Sequence, residues 1–171
     1  LRLPLHDVRR DQVKEDVTMT ANRSTEEYKM RAAIAAWGRE RWPRARVVHE
    51  LVVNSECRID MAFIEPMCIH GVEIKSSRDK LDRLENQARV FGAHLPDTIV
   101  AVAPKWLDRH GYFAPPRGVT NWIICDGDHV SRGGYLSSAR RDVTAQMLHL
   151  LWADEARAIA ARRGLLFYRQ L

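Results

Sequence analysis

Cysteine is scarce in this sequence: Cys57, Cys68 and Cys125 are odd in number and widely spaced, so neither a disulfide framework nor a paired CxxC zinc site is indicated. A reducing cytoplasm is then the simplest compartment. No apolar run approaches the ~18 residues that span a bilayer, and the first thirty positions lack the apolar core of a signal peptide, so no membrane partner is expected. Met19 is a candidate natural start, which would make residues 1–18 a leader. Internal repeats, low-complexity tracts, a P-loop, a GxSxG elbow and an HExxH helix are all missing.

What remains is the composition of one globular domain. The 171 residues are 46% hydrophobic and 29% charged, enough for one core. A formal charge of +5 favours a polyanionic partner but suits a plain solvated surface equally well. Residues 1–23 are mixed in charge, poor in pattern and contain Pro4, which suggests a mobile N-terminal arm before a single domain at 24–171.

Ser24 followed by Glu27 forms a capping box, and Met30, Ile34 and Trp37 recur at helical spacing until Pro43. Glu27 either completes that cap or reaches a neighbouring sheet along the buried stripe. Val47 to Val53 then alternates, as do Arg58 to Ile64 and Ile69 to Lys75, with a turn around Pro66-Met67 between the last two. If that hairpin is symmetric, Ile64 pairs with Ile69, Ala62 with Gly71, and Asp60 faces Glu73. Symmetry about Ser55 likewise sets Glu50 opposite Asp60.

Three acids side by side in a sheet repel one another. A divalent cation gives a reason to keep them, because magnesium is held by one or two carboxylates plus water and phosphate oxygens. The competing structural reading is an ion-pair network of Asp60, Glu73, Arg58 and Lys75, which costs desolvation and contributes little.

Asp79 is the expected cap of the next helix, whose core face is Leu81, Leu84, Ala88, Phe91 and Leu95. Gln87 lies on that stripe, as a satisfied core amide or as a partner of the acids. Arg78, Lys80, Arg83 and Arg89 fall on the open side, available to DNA phosphates or simply solvated. Thr98 to Ala103 reads as a strand buried on both faces after a helical crossover, which implies a mixed α/β sheet. Pro104 to Gly118 reads as a covering loop, Asn121 to Cys125 as an outer strand, Asp126-Gly127 as a hairpin turn and Gly133-Gly134 as another loop. Arg141 to Arg163 has a helical pattern in which His149 is a packed core histidine.

With Arg58-Ile59-Asp60, His70-Gly71-Val72-Glu73-Ile74-Lys75-Ser76 and Asp82 to Gln87 in view, the chain resembles the PD-(D/E)XK nuclease superfamily, nearest its small bacterial MmcB-like DNA-repair branch. Leu150-Leu151-Trp152 and Glu155 resemble that branch's C-terminal helix. Ile59 stands where the family's name has proline. The resemblance implies a restriction-endonuclease-like core: a central mixed β-sheet built as helix, three antiparallel strands, helix and strand, flanked by helices. It implies Asp60, Glu73, Lys75 and Gln87 as catalytic residues and Mg2+ or Mn2+ as cofactor. Asp60 and Glu73 would ligate the metal with Glu50, or Glu27 in its place, as the leading acid. Arg78, Lys80 and Arg83 would bind DNA, with a homodimer left open. Lys75, beside carboxylates, is expected to stay cationic and to orient water and stabilise charge. The expected function is therefore a metal-dependent DNA nuclease of repair, recombination or mobile-element biology. The alternative is a DNA- or protein-binding module of the same fold that does not cut.

Overall fold

The computed structural model describes residues 24–53, 57–66, 68–137 and 150. The expected N-terminal arm, the helix at Arg141 to Arg163 with His149, the Leu151-Trp152 and Glu155 positions, and the turn residues Asn54 to Glu56 and Met67 lie outside them.

Helix α1 is Thr25–Arg41, capped by the Ser24 side chain, which accepts the Glu27 N–H at 3.1 Å. Three strands follow, β1 (Arg46–Val52), β2 (Arg58–Glu65) and β3 (Cys68–Lys75), paired antiparallel in sequence. Their register is the one symmetry predicts: Ile64 faces Ile69 and Ala62 faces Gly71. In β1, His49 faces Met61 and Leu51 faces Ile59, which brackets Glu50 against Asp60. Helix α2 (Leu84–His94) then crosses to β4 (Asp97–Val102), parallel to β3. A single 3-10 turn at Pro104–Trp106 and the covering loop lead to β5 (Asn121–Asp126), parallel to β4, and β6 (His129–Tyr135) closes the edge antiparallel. The sheet is six-stranded and mixed, in the order β1 to β6.

Period-two alternation gives this sheet two apolar faces. Met30 and Ile34 of α1 pack with Met61, Phe63, Val72, Ile74, Ile99 and Ile123. On the other face Val90, Phe91 and Leu95 meet Ile59, Ala62 and Ile69, and Leu84 and Ala88 meet Val100, Val102 and Trp122. Strand β4 is buried on both sides, as its continuous β-branched run requires.

Three expectations change. Asp79 does not open α2, whose cap position is Arg83; its Oδ2 instead receives the Ser76 N–H and hydroxyl, each at 2.7 Å. A short acid satisfies the nearest orphan donors first, and here those lie at the end of β3. Strand β5 is not the outer strand, because β6 covers it. Gly133 and Gly134 belong to β6 rather than to a loop: a Cβ on Gly133 would come within 2.2 Å of the Trp122 ring, so glycine lets the buried indole lie against the strand. The Asp126-Gly127 turn stands as expected, with Asp126 facing His129 and Gly127 at φ 61°.

Candidate active site

The ladder between β2 and β3 ends at Met61 and Val72, and beyond it the strands part. Asp60 sits in that opening. Its Oδ2 takes the Ile74 N–H at 2.8 Å, so the carboxylate occupies the place a strand carbonyl would have filled. On β3, Glu73 and Lys75 point to the α2 side. Lys75 Nζ donates to Glu73 Oε1 at 2.8 Å and to Gln87 Oε1 at 2.9 Å, and Gln87 Nε2 donates to Glu73 Oε1 at 2.6 Å. Gln87 is thus a partner of the acid rather than an isolated core amide.

Glu73 and Lys75 are 3% and 5% exposed, so this triangle is desolvated. Both of the bonds that Glu73 accepts fall on one of its oxygens, Oε1. Glu73 Oε2 is buried with no hydrogen-bond partner, a costly condition for a carboxylate. Burial, with the charge of Asp60 adding and Lys75 and Gln87 opposing, pushes the Glu73 carboxyl up to about 7. Asp60 is also raised: burial lifts it against the pull of Arg31 and the Ile74 N–H, and Glu50 adds to the rise.

Arg31 is the residue that sequence reasoning missed. It is 5% exposed in α1, and its guanidinium meets three carboxylates: Glu27 at 2.9 Å, Glu50 at 2.7 Å and Asp60 at 2.9 Å. Nη1 also donates to the Asp60 carbonyl at 2.6 Å. The Glu27-Arg31 spacing of four on a helix and its place beside Met30 were the available signals. Glu50 has a second cation, Arg58, at 2.6 Å. Its φ of 55° is the left-handed region, rare outside glycine and strained by about 1–3 kcal/mol. That twist takes Glu50 out of the β1–β2 ladder and turns its side chain to the two arginines.

These groups line a cleft of about 590 Å³ together with Asp79, Asp82 and Arg83. Its wall is pinned by Glu26, which accepts the Ser77 N–H at 2.9 Å and its hydroxyl at 2.6 Å, and by Trp106, which donates to the Ser76 carbonyl. Six acids (Glu27, Glu50, Asp60, Glu73, Asp79, Asp82) face Arg58, Lys75 and Arg83 there, with Arg31 behind. Arg83 is exposed at the rim, whereas Arg78 and Lys80, also exposed, stand outside the lining.

Among the described residues no three His, Cys, Asp or Glu side chains form a preassembled metal cluster. Glu27, Glu50 and Asp60 are all drawn to Arg31. Asp60 and Glu73 are the carboxylates that would hold a divalent cation: one Glu73 oxygen has no partner, while the Asp60 oxygens, which meet Arg31 and the Ile74 N–H, would be shared with it.

Comparison with known proteins matches residues 20–155, most of the chain, to the family described as bacteriophage P4 protein cII. The chain belongs to the bacteriophage P4 protein cII family. Within the matched span lie all the cleft residues named above. A solved structure of a protein of unknown function from Silicibacter pomeroyi is similar to this chain with a TM-score of 0.51 and 18% identity, covering 83% of this chain and 93% of its own. At that identity the likeness concerns the fold alone. No curated protein matches this P4 cII family member. Among the described residues no helix is long and apolar enough to cross a membrane.

Proposed function

We propose that this chain is a magnesium- or manganese-dependent deoxyribonuclease with a restriction-endonuclease-like core, kin to the PD-(D/E)XK superfamily and its MmcB-like branch. The observation that carries the reading is the unpartnered Glu73 Oε2 beside Asp60, with Lys75 Nζ bonded to the other Glu73 oxygen. Asp60 and Glu73 would hold the ion, which when bound lowers the pKa of water and offsets charge on the phosphate. Lys75 keeps a cation at the scissile position, where charge on a phosphorane-like transition state is stabilised without reorganisation. Gln87 holds Lys75 and Glu73 in one geometry, and the Ile74 N–H does the same for Asp60. Arg31 holds Asp60 from behind and compensates the acids while no other cation is present. Arg83 at the rim, with Arg78 and Lys80 further out, would meet the DNA backbone. A phage or mobile-element setting in a reducing cytoplasm suits the family's name and Cys57, Cys68 and Cys125, none of which is in a disulfide.

One observation favours the rival reading, a module that binds DNA or a partner without cutting. Arg31 already satisfies much of the acid cluster, as in a structural ion-pair network. The test is incubation of the protein with single-stranded, duplex, flapped and branched DNA, with magnesium and with manganese. Cleavage that falls by on the order of 10²–10³ or more in Lys75→Ala, with metal binding and fold retained, supports the nuclease. Inertness on every DNA form with either metal supports the binding module.

A further inference from the structure

At the far end of β3 from the acid cleft lies a second pocket, about 420 Å³, between the C-terminal end of α1 and strands β5 and β6. That size falls within the range of small-molecule sites. Its chemistry is the reverse of the cleft's. Arg41 and Arg132 are exposed at its margin, and neither has a carboxylate partner among the described residues. Arg41 lies 5.1 Å from the centre of the Trp37 ring. Asp97, the acid in the lining, is already taken: His70 Nδ1 is 2.7 Å away, and the Thr120 hydroxyl donates to its other oxygen. His70 is backed by the Trp42 ring, stacked at 4.0 Å. The floor is therefore a closed, satisfied unit, and the cations above it are not.

Two features of the pocket call for a ligand. Asn121 Oδ1 is a buried acceptor with no partner, which makes it suited to a donor from outside. Tyr135, opposite Asn121 on the neighbouring strand, is 57% exposed and offers a flat ring. A metal cation is unsuited to this mixture, because the lining's carboxylate is committed and two arginines face the space. An anion with a flat ring and an N–H donor matches every element.

We propose that this pocket binds a nucleotide, its amino-bearing base against Tyr135 and Asn121 and its phosphate between Arg41 and Arg132. The two sources of such a group are a free nucleotide and an unpaired nucleotide of a DNA strand. This site is independent of the acid cleft and of any metal, so it stands or falls apart from the nuclease reading.

Isothermal titration calorimetry of the whole chain in chelator tests it, with dAMP, dTMP, inorganic phosphate and a short deoxyadenosine oligomer as probes. Expected is saturable binding of dAMP, weaker binding of dTMP, whose one base N–H is flanked by two carbonyl oxygens that Asn121 Oδ1 repels, and weaker still of phosphate. Arg132→Gln should weaken dAMP about tenfold, the size of one charge-assisted hydrogen bond. Asn121→Leu should bring dAMP down to the level of dTMP. An oligomer that binds more tightly than dAMP identifies a strand as the source, and one that does not identifies the free nucleotide. No saturable binding of any nucleotide probe, or dAMP binding unchanged in both folded variants, would overturn the proposal.

Discussion

Near its start, β3 carries His70, whose ring nitrogens lie 2.7 Å from Asp97 and 3.3 Å from Glu65; near its end it carries Glu73, which keeps one buried oxygen without a partner. Both groups are titratable and largely removed from water, so desolvation disfavours the charged form of each. At His70 the hydrogen bonds to Asp97 and Cys68, with the charge of Asp97, overcome burial and push the imidazolium up to about 10. At Glu73 burial and Asp60 outweigh Lys75 and Gln87, and the proton is held to about 7. One end of the strand has compensated its charge internally. The other has an excess of acid that Arg31 relieves only on the Asp60 side. Buried charges complete in themselves need no ligand, whereas an incomplete set is what a binding or catalytic site requires.

The largest expected effect comes from removing the compensation the acid end does have. Arg31→Met removes the cation shared by Glu27, Glu50 and Asp60 and should cost about 3–5 kcal/mol in denaturant unfolding at neutral pH. A loss under 1 kcal/mol would mean that the guanidinium is not the counter-charge of the cluster.

The pH dependence of stability separates the two ends next. Glu73 has an ordinary value near 4.5 and a folded one near 7, so between those pH values the native chain keeps a proton that the unfolded chain releases. Stability in chelator should therefore fall as pH rises through that window, and Glu73→Gln should flatten the fall. His70 rises from 6.5 to about 10, so its contribution is complete below pH 6.5 and is lost as pH climbs towards 10. His70→Gln should flatten that second, alkaline window and leave the first in place. Manganese affinity should climb with pH up to about 7, because the ion must displace the Glu73 proton.

The smallest effect belongs to the rim. Arg83→Ala should lower the salt slope of DNA binding by about one counterion, and Lys80→Ala, outside the cleft lining, by less. Equal slopes in parent and both variants would show these cations to be merely solvated.

The hairpin register was legible because strand alternation and the turn at Pro66 leave little freedom: a one-residue slip would turn Met61 and Phe63 from the α1 face to the α2 face of the sheet. The same constraint revealed the neighbourhood of Glu50, Asp60 and Glu73. Arg31 was not legible, since a cation on a helix ordinarily reads as solvated and only the assembled sheet shows three carboxylates converging on it. Nor was the left-handed backbone of Glu50, a tertiary strain without a sequence signature. Gly133 and Gly134 misled because glycine pairs punctuate loops more often than they make room for an indole.

On the proposed reading, Asp60 and Glu73 form an incomplete pair that a divalent cation completes. Thermal melts of the parent and Glu73→Gln at pH 8, each in chelator and in excess manganese, test it most directly. The claim predicts that Glu73→Gln in chelator is at least as stable as the parent, by up to ~2 kcal/mol, because it removes an under-compensated buried charge. It predicts also that manganese raises the melting temperature of the parent and leaves the variant unmoved, since stabilisation follows binding to the native state. A variant markedly less stable than the parent in chelator, with no manganese shift in the parent, would contradict it.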